Sequence, residues 1–306
     1  MNTAAIYTRR EFGLMTLSSL ASPLLARAQT VAGVRLGVQT YSFRELPRTP
    51  GGNAVDSLIT AMHDCGFTEC ELFAPQIEPA STPGRGRPSA EEAQKARDDL
   101  RMWRLKTPLD HFQAIGKTFK SAGITIYAYN YSPNASFSDE EIDRGFEITT
   151  ALGAEIITAS ATLDAARRMV PFAEKHKMVV AMHNHSQVSN PNEFATTESL
   201  ATALTLSKYF KINLDIGHFT AANYDPLAYI REHHDRITNL HLKDRKKNQG
   251  DNVPWGMGDT PITEALQLLK REKYPIRAYV EYEYRGTKGA VDEVKSCLDF
   301  AKRALA

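Results

Sequence analysis

The chain has 306 residues, with 37 Lys+Arg against 36 Asp+Glu, a formal charge of +1 and 42% hydrophobic residues. That balance leaves no basic footprint for gripping phosphate backbones and argues against a nucleic-acid binder. The length suits either two domains or one α/β barrel of about 250 residues.

Taken from the start, residues 1–28 read as an address. Thr8-Arg9-Arg10-Glu11-Phe12-Gly13-Leu14 leads into a mildly apolar run that closes on Ala26-Arg27-Ala28, a small-x-small cleavage pattern. The segment resembles a twin-arginine signal peptide, and its apolar stretch is shorter than the ~20 residues that span a bilayer. The resemblance implies export in the folded state, often with a cofactor already loaded, and a periplasmic or secreted protein with no membrane attachment once the signal is cleaved. Three arginines and one glutamate leave with the signal, which turns the charge of +1 into −1.

Residues 29–306 form the expected working domain. Runs rich in β-branched and aromatic residues fall at 35–42, 68–73, 124–131, 155–159, 178–185, 211–216, 237–242 and 276–282. Between them, apolar residues recur at helical spacing over 54–65, 110–122, 139–152, 163–176, 198–207, 226–234, 262–271 and 291–305. Eight strand-then-helix units predict a single-domain (β/α)8 TIM barrel. A doubly wound open sheet is the alternative, but the turn after the first strand, Tyr41-Ser42-Phe43-Arg44, carries no glycine-rich phosphate loop. Residues 74–107 break the rhythm with a Pro- and Gly-rich stretch and a short charged helix. Following a strand, they are expected at the catalytic mouth as a lid or as a contact in a homo-oligomer. Cys65, Cys70 and Cys297 are too few for a disulfide scaffold; burial is their expected role, with a Cys65–Cys70 bridge as the alternative.

Four successive strands deliver ionisable residues at their C-terminal ends, the catalytic face of a barrel. They are His183 and His185, then Asp215, then His241, then Glu281. Burying such groups together is costly unless a ligand satisfies them. Two imidazoles and two carboxylates (His183, Asp215, His241 and Glu281) suit one divalent ion of the Mn, Co, Zn, Ni or Fe type. Tyr41, Tyr129 and Trp255 are candidate stacking surfaces for a sugar, with core packing as the alternative for each.

The motifs LDIGH (214–218), HLKD (241–244), WGMGD (255–259) and VEYEY (280–284) resemble the xylose-isomerase-like barrels, which include sugar isomerases, epimerases and inosose dehydratases. The likeness covers nearly all of residues 33–305. It implies Asp215, His241 and Glu281 as metal ligands, and His218, Lys243 and Glu71 as groups that touch substrate. One position departs from the pattern: the usual Glu-Asn-His triplet is His183-Asn184-His185 here. An imidazole still binds a metal but is a poor substitute for a carboxylate in a paired acid/base system, which favours chemistry that needs one base.

The reading is therefore a divalent-metal-dependent isomerase or epimerase that removes a proton next to a carbonyl of an unphosphorylated sugar. The alternatives are a lyase or hydratase acting on 3-keto-glycosides, and a non-catalytic sugar-binding barrel. Glu281 is the candidate base, with Glu283 or Glu71 in reserve. His185, His218 and Lys243 are the candidate proton donors, the lysine with its pKa tuned down by burial and a nearby cation.

Overall fold

Strands buried on both faces read as near-continuous apolar runs, and such runs organise this chain into a parallel sheet. The structure, a computed structural model, describes residues 30–48, 53–79 and 89–306. The expected signal, 1–28, and the middle of the long connection, 80–88, lie outside the described residues.

A short strand β1 (Thr30–Val31) turns back antiparallel onto β2 (Val34–Gln39). Then follow β3 (Glu69–Phe73), β4 (Thr125–Asn130), β5 (Ile156–Ala159), β6 (Val180–His183), β7 (Phe210–Asp215), β8 (Ile237–Leu242) and β9 (Arg277–Val280). Each of β2 to β9 pairs parallel with the next, and β9 returns to β2, with Leu36 opposite Ala278 and Val38 opposite Val280. The closed eight-stranded barrel expected from the strand-helix alternation is thus present, and the open-sheet alternative is excluded.

The outer layer consists of α1 (Val55–Cys65), α2 (Ala90–Lys106), α3 (Leu109–Ser121), α4 (Asp139–Leu152), α5 (Leu163–His176), α6 (Thr197–Leu206), α7 (Ile216–Ala221), α8 (Pro226–His233), α9 (Ile262–Glu272) and α10 (Ala290–Leu305). No described helix is long and apolar enough to cross a membrane. Helix starts follow their capping chemistry. Ser89 with Glu92 and Ser138 with Glu141 form reciprocal capping boxes on α2 and α4. Sequence periodicity missed α7, because it starts on the residue after β7. Asp215 caps it, accepting from His218 N at 2.6 Å, so strand and helix share one junction residue.

The connection after β3 departs from its expected role. Arg104 of α2 donates to both oxygens of Glu78 (2.7 and 3.0 Å) and to Glu141 of α4 (3.2 Å), all three side chains being nearly inaccessible. Its guanidinium also lies 4.6 Å from the Phe137 ring centroid. These bonds clamp α2 against α4, and none of the described residues of 74–107 lines the cavity at the barrel mouth. The described part of this segment flanks the barrel without covering the cavity, unlike the lid that was one expectation; the other, a contact in a homo-oligomer, remains a proposal.

All three cysteines are buried and unpaired, so no Cys65–Cys70 bridge forms. Burial pushes the thiols up, Cys65 and Cys297 to about 12. A disulfide-exchange reagent at pH 8 should therefore find no reactive thiol in the folded protein and three after denaturation; fast labelling of the native chain would contradict this packing.

Candidate metal centre

Along the barrel axis, inward-facing residues of alternate parity form layers. At the lower end Glu69 accepts from Tyr279 Oη (2.8 Å) and Arg277 Nε (3.0 Å), and the Arg277 guanidinium covers the Tyr127 ring. Above this plug lies Glu71, fully inaccessible. Its Oε1 accepts from Gln39 Nε2 (2.6 Å), Thr158 Oγ1 (2.7 Å) and Asn130 Nδ2 (3.2 Å). Its Oε2 accepts from His241 Nε2 (2.9 Å) and Asn239 Nδ2 (3.0 Å), with Asn213 Nδ2 3.4 Å from both oxygens. Donors from five other strands thus converge on one carboxylate. This departs from its expected role as a substrate contact or base: Glu71 is saturated with donors beneath the cavity and outside its lining.

The cavity above it, about 200 Å³, opens at the C-terminal end of the strands. His183, Asp215, His241 and Glu281 meet at its floor. Ligating atoms of the first three lie within 4.8 Å of one another, and His241 Nδ1 stands 3.2 Å from Glu281 Oε2. His183 Nδ1, Asp215 Oδ2, His241 Nδ1 and Glu281 Oε2 are each buried with no properly directed hydrogen bond. With His183 Nε2 4.0 Å from Asp215 Oδ2, this close grouping of two imidazoles and two carboxylates is a donor set that fits a divalent cation.

Their local settings explain the convergence. Asp215 divides its work, Oδ1 capping α7 and Oδ2 facing Lys243 Nζ (2.9 Å) and His183 Nε2 (4.0 Å). Asn184 locks β6 to β7 by a reciprocal pair, its Oδ1 accepting from Asp215 N (2.8 Å) and its Nδ2 donating to Asp215 O (3.1 Å). Because His241 spends Nε2 on Glu71, Nδ1 is the nitrogen left for a metal, the carboxylate–histidine arrangement of many metal sites.

Charge reinforces this. Three carboxylates (Asp215, Glu281 and Glu283) surround a single lysine. Lys243 Nζ lies 2.9 Å from Asp215 Oδ2, 2.9 Å from Glu281 Oε2 and 2.5 Å from Glu283 Oε2. Burial would lower the Lys243 pKa, but the facing carboxylates outweigh it and hold the ammonium well above its ordinary value. This is the reverse of the downward tuning expected from the sequence, and it makes Lys243 a fixed cation. His241 behaves alike: burial opposes its charge, yet Glu71 and Glu281 draw its pKa well above normal. His183 goes the other way, lowered by burial and by its neighbours His241 and His185, which keeps it a neutral ligand. Burial raises Asp215 against the pull of Lys243, whereas in Glu281 the Lys243 and His241 charges overcome burial and hold the carboxylate ionised. Gly217 permits the lysine's path, since a Cβ there would collide with the Lys243 side chain and backbone.

A second cluster, His183, His185 and His218, is also compact. Its outer members are already engaged. His185 Nδ1 lies 3.0 Å from Glu193 Oε2, and His218 Nδ1 accepts from Arg245 Nη1 at 2.6 Å. With Lys243 Nζ 3.2 Å from His218 Nε2, that ring faces two cations and suits a metal poorly.

The aromatic expectations divide. Tyr41 lines the cavity, edge-on to Phe73, a lining residue that the sequence reading did not select. Tyr129 does not: Asn130 takes the inward position, so Tyr129 points outward, inaccessible and stacked on Tyr131. Trp255 packs edge-on against Phe300 of α10, away from the cavity. Its WGMGD loop is held at the base by Asp244, which accepts from Gly256 N, Gly258 N and Thr260 N, while Met257 at the tip stays exposed. A larger cleft of about 730 Å³, between α3 and α4 at the opposite end of the barrel, holds none of the cavity's groups.

Fold and site together define a (β/α)8 barrel with a histidine-carboxylate cluster at its catalytic rim. The profile of the xylose isomerase-like TIM barrel family matches residues 59–304, and the chain belongs to that family. It is similar to the L-ribulose-5-phosphate 3-epimerase UlaE of Escherichia coli, with 24% identity over 172 residues, 54% of this chain and 60% of that protein. The chain thus spans about 60% of the length of the curated relative it matches. Among solved structures it resembles D-psicose 3-epimerase of Clostridium cellulolyticum H10 (TM-score 0.61, 14% identity, 88% of this chain and 99% of that one). It also resembles the 3-keto-D-glucoside 4-epimerase YcjR of E. coli (TM-score 0.59, 13% identity, again 88% and 99%).

If Glu71 organises the barrel interior, Glu71→Leu should lower the unfolding free energy by about 3 kcal/mol or more, read from urea denaturation, because its donors lose their common acceptor. A residue that only contacts substrate would leave the urea midpoint unchanged.

Proposed function

We propose that the protein is a divalent-metal-dependent enzyme of the sugar isomerase and epimerase kind, which moves a proton on the carbon next to a carbonyl of an unphosphorylated sugar or sugar derivative. The observation that carries this reading is the close grouping of His183, Asp215, His241 and Glu281 beneath a small cavity lined by proton-moving groups. The matched relatives point the same way. A 3-epimerase of a 2-ketose and a 4-epimerase of a 3-keto-glucoside each act, by their names, on a carbon adjacent to a ketone. The expected export signal favours free sugars or glycosides over sugar phosphates.

A cation held by the four residues would act as a Lewis acid, polarising a carbonyl and offsetting the negative charge that grows as the adjacent proton leaves. Glu281 is the proposed base, since it lines the cavity and the Lys243 and His241 charges hold its carboxylate ionised. Lys243, protonated and within reach of the same space, stabilises the developing oxyanion. His218 and His185 line the cavity and supply or accept the proton at the substrate oxygen. Tyr41 and Phe73 give the apolar wall on which a sugar face packs.

A second reading, elimination or hydration on a 3-keto-glycoside, rests on His183 standing where a second carboxylate would serve a two-base epimerisation. Incubation of metal-loaded protein in deuterated water with free ketoses and with 3-keto-glycosides separates the two. Deuterium at the carbon beside the carbonyl supports the first, and release of an aglycone or loss of water supports the second. Glu281→Gln should slow either reaction by at least about 100-fold.

Metal analysis of the purified protein should find one transition-metal equivalent, and Asp215→Asn should weaken its retention by about tenfold or more. Less than about a third of an equivalent after reconstitution would overturn the metal-dependent reading.

A further inference from the structure

Lys243 makes two kinds of contact. Its Nζ donates to Glu283 Oε2 at 2.5 Å and lies 3.2 Å from His218 Nε2. Toward Asp215 Oδ2 and Glu281 Oε2, both at 2.9 Å, it brings charge without a well-directed hydrogen bond. Those two oxygens belong to candidate metal ligands, so the chain's own ammonium already draws on the negative charge that would attract a divalent ion. Like charges repel strongly where water is excluded, and two cations cannot both hold this pair of oxygens at full strength.

The three carboxylates differ in how far they can follow the ammonium. The Asp215 side chain is inaccessible and its Oδ1 is committed to His218 N, and the Glu281 side chain is 7% exposed. Glu283 is 21% exposed, so solvent reaches its head. The backbone on either side of it is anchored. Arg44 Nη1 donates to Tyr282 O (2.7 Å), Tyr282 N donates to Ser42 Oγ (3.0 Å), and Tyr284 Oη donates to Glu293 Oε2 (2.7 Å). A carboxylate on a fixed backbone, beside a lysine with a flexible four-carbon stem, gives the ammonium a place to shift to without losing its partner.

We infer that Lys243 is a tethered competitor of the divalent ion, sharing Asp215 and Glu281 with it, and that Glu283 is the positioning residue that holds the ammonium aside when the ion binds. The affinity of the site is then set within the chain: the lysine weakens ion binding, and Glu283 offsets part of that weakening. The inference rests on the metal-dependent reading above.

Co2+ titrated into the full chain after dialysis against a chelator, followed by the visible absorption of the bound ion, reads the affinity directly and needs no substrate. Lys243→Met should bind Co2+ about tenfold or more tightly than wild type, and Glu283→Gln about tenfold or more weakly. Because Glu283 acts through Lys243, the effect of Glu283→Gln should fall to within about twofold in the Lys243→Met background. Should Lys243→Met fail to fold, Lys243→Gln, which keeps a donor between the carboxylates, takes its place in the same cycle.

A lysine variant that binds Co2+ no more tightly than wild type would overturn the inference. So would additive effects in the double variant, since Glu283 would then contribute only its own charge to the site. Uptake below about a third of an equivalent by wild type and variants alike would overturn the metal-dependent reading and this inference with it. Wild-type binding without the expected order among the variants overturns the inference alone.

Discussion

A carboxylate sealed inside a barrel is tolerated only when donors surround it, and Glu71 is surrounded from five other strands. Much of the upper barrel follows from that requirement. Gln39, Asn130, Asn213 and Asn239 occupy inward positions that an ordinary barrel fills with aliphatic residues, because each must present an N–H to the axis. His241 is turned so that Nε2 serves Glu71, and its other nitrogen is thereby aimed at the cavity floor. The buried charge is the reference point from which the candidate metal ligands take their orientation.

Above that point the chain manages an excess of negative charge with few cations. Lys243 lies between three carboxylates, and His241 is drawn toward protonation by two. The Lys243 ammonium and the raised His241 thus offset these carboxylates, and a divalent cation held by the same residues would add to that balance. The neutral His183 lowers the carboxylate count by one relative to the Glu-Asn-His pattern. A histidine there can still hold a cation but cannot serve as a carboxylate base, which is the physical ground for expecting one-base chemistry.

Much of this was legible in the sequence. Strands and helices announced themselves by periodicity, and the four candidate ligands by their recurrence at the ends of consecutive strands. What was not legible depends on depth and direction. Asp215 is the last residue of β7, whereas β3 runs two residues past Glu71, so equal-looking strand-end carboxylates sit at different heights. Tyr129 was chosen for its ring, while the parity set by Asn130 turns it outward. Lys243 was read beside a cation when its neighbours are anions. Glu193 and Arg245 reach their histidines through loops that fold back, 8 and 27 residues along the chain, and no local pattern marks such contacts.

The WGMGD loop shows how such a barrel acquires new preferences. Asp244 gathers three backbone N–H groups at the loop's base, so the loop's shape is set without help from its apex, where Met257 is 63% exposed. An apex free of structural duty can accumulate substitutions at little cost to folding. It stands on the rim where barrels of this kind differ in what they accept. The molecule therefore pairs an interior constrained by its buried charge with an edge free of structural duty, and changes in selectivity can arise there while the charge below remains untouched.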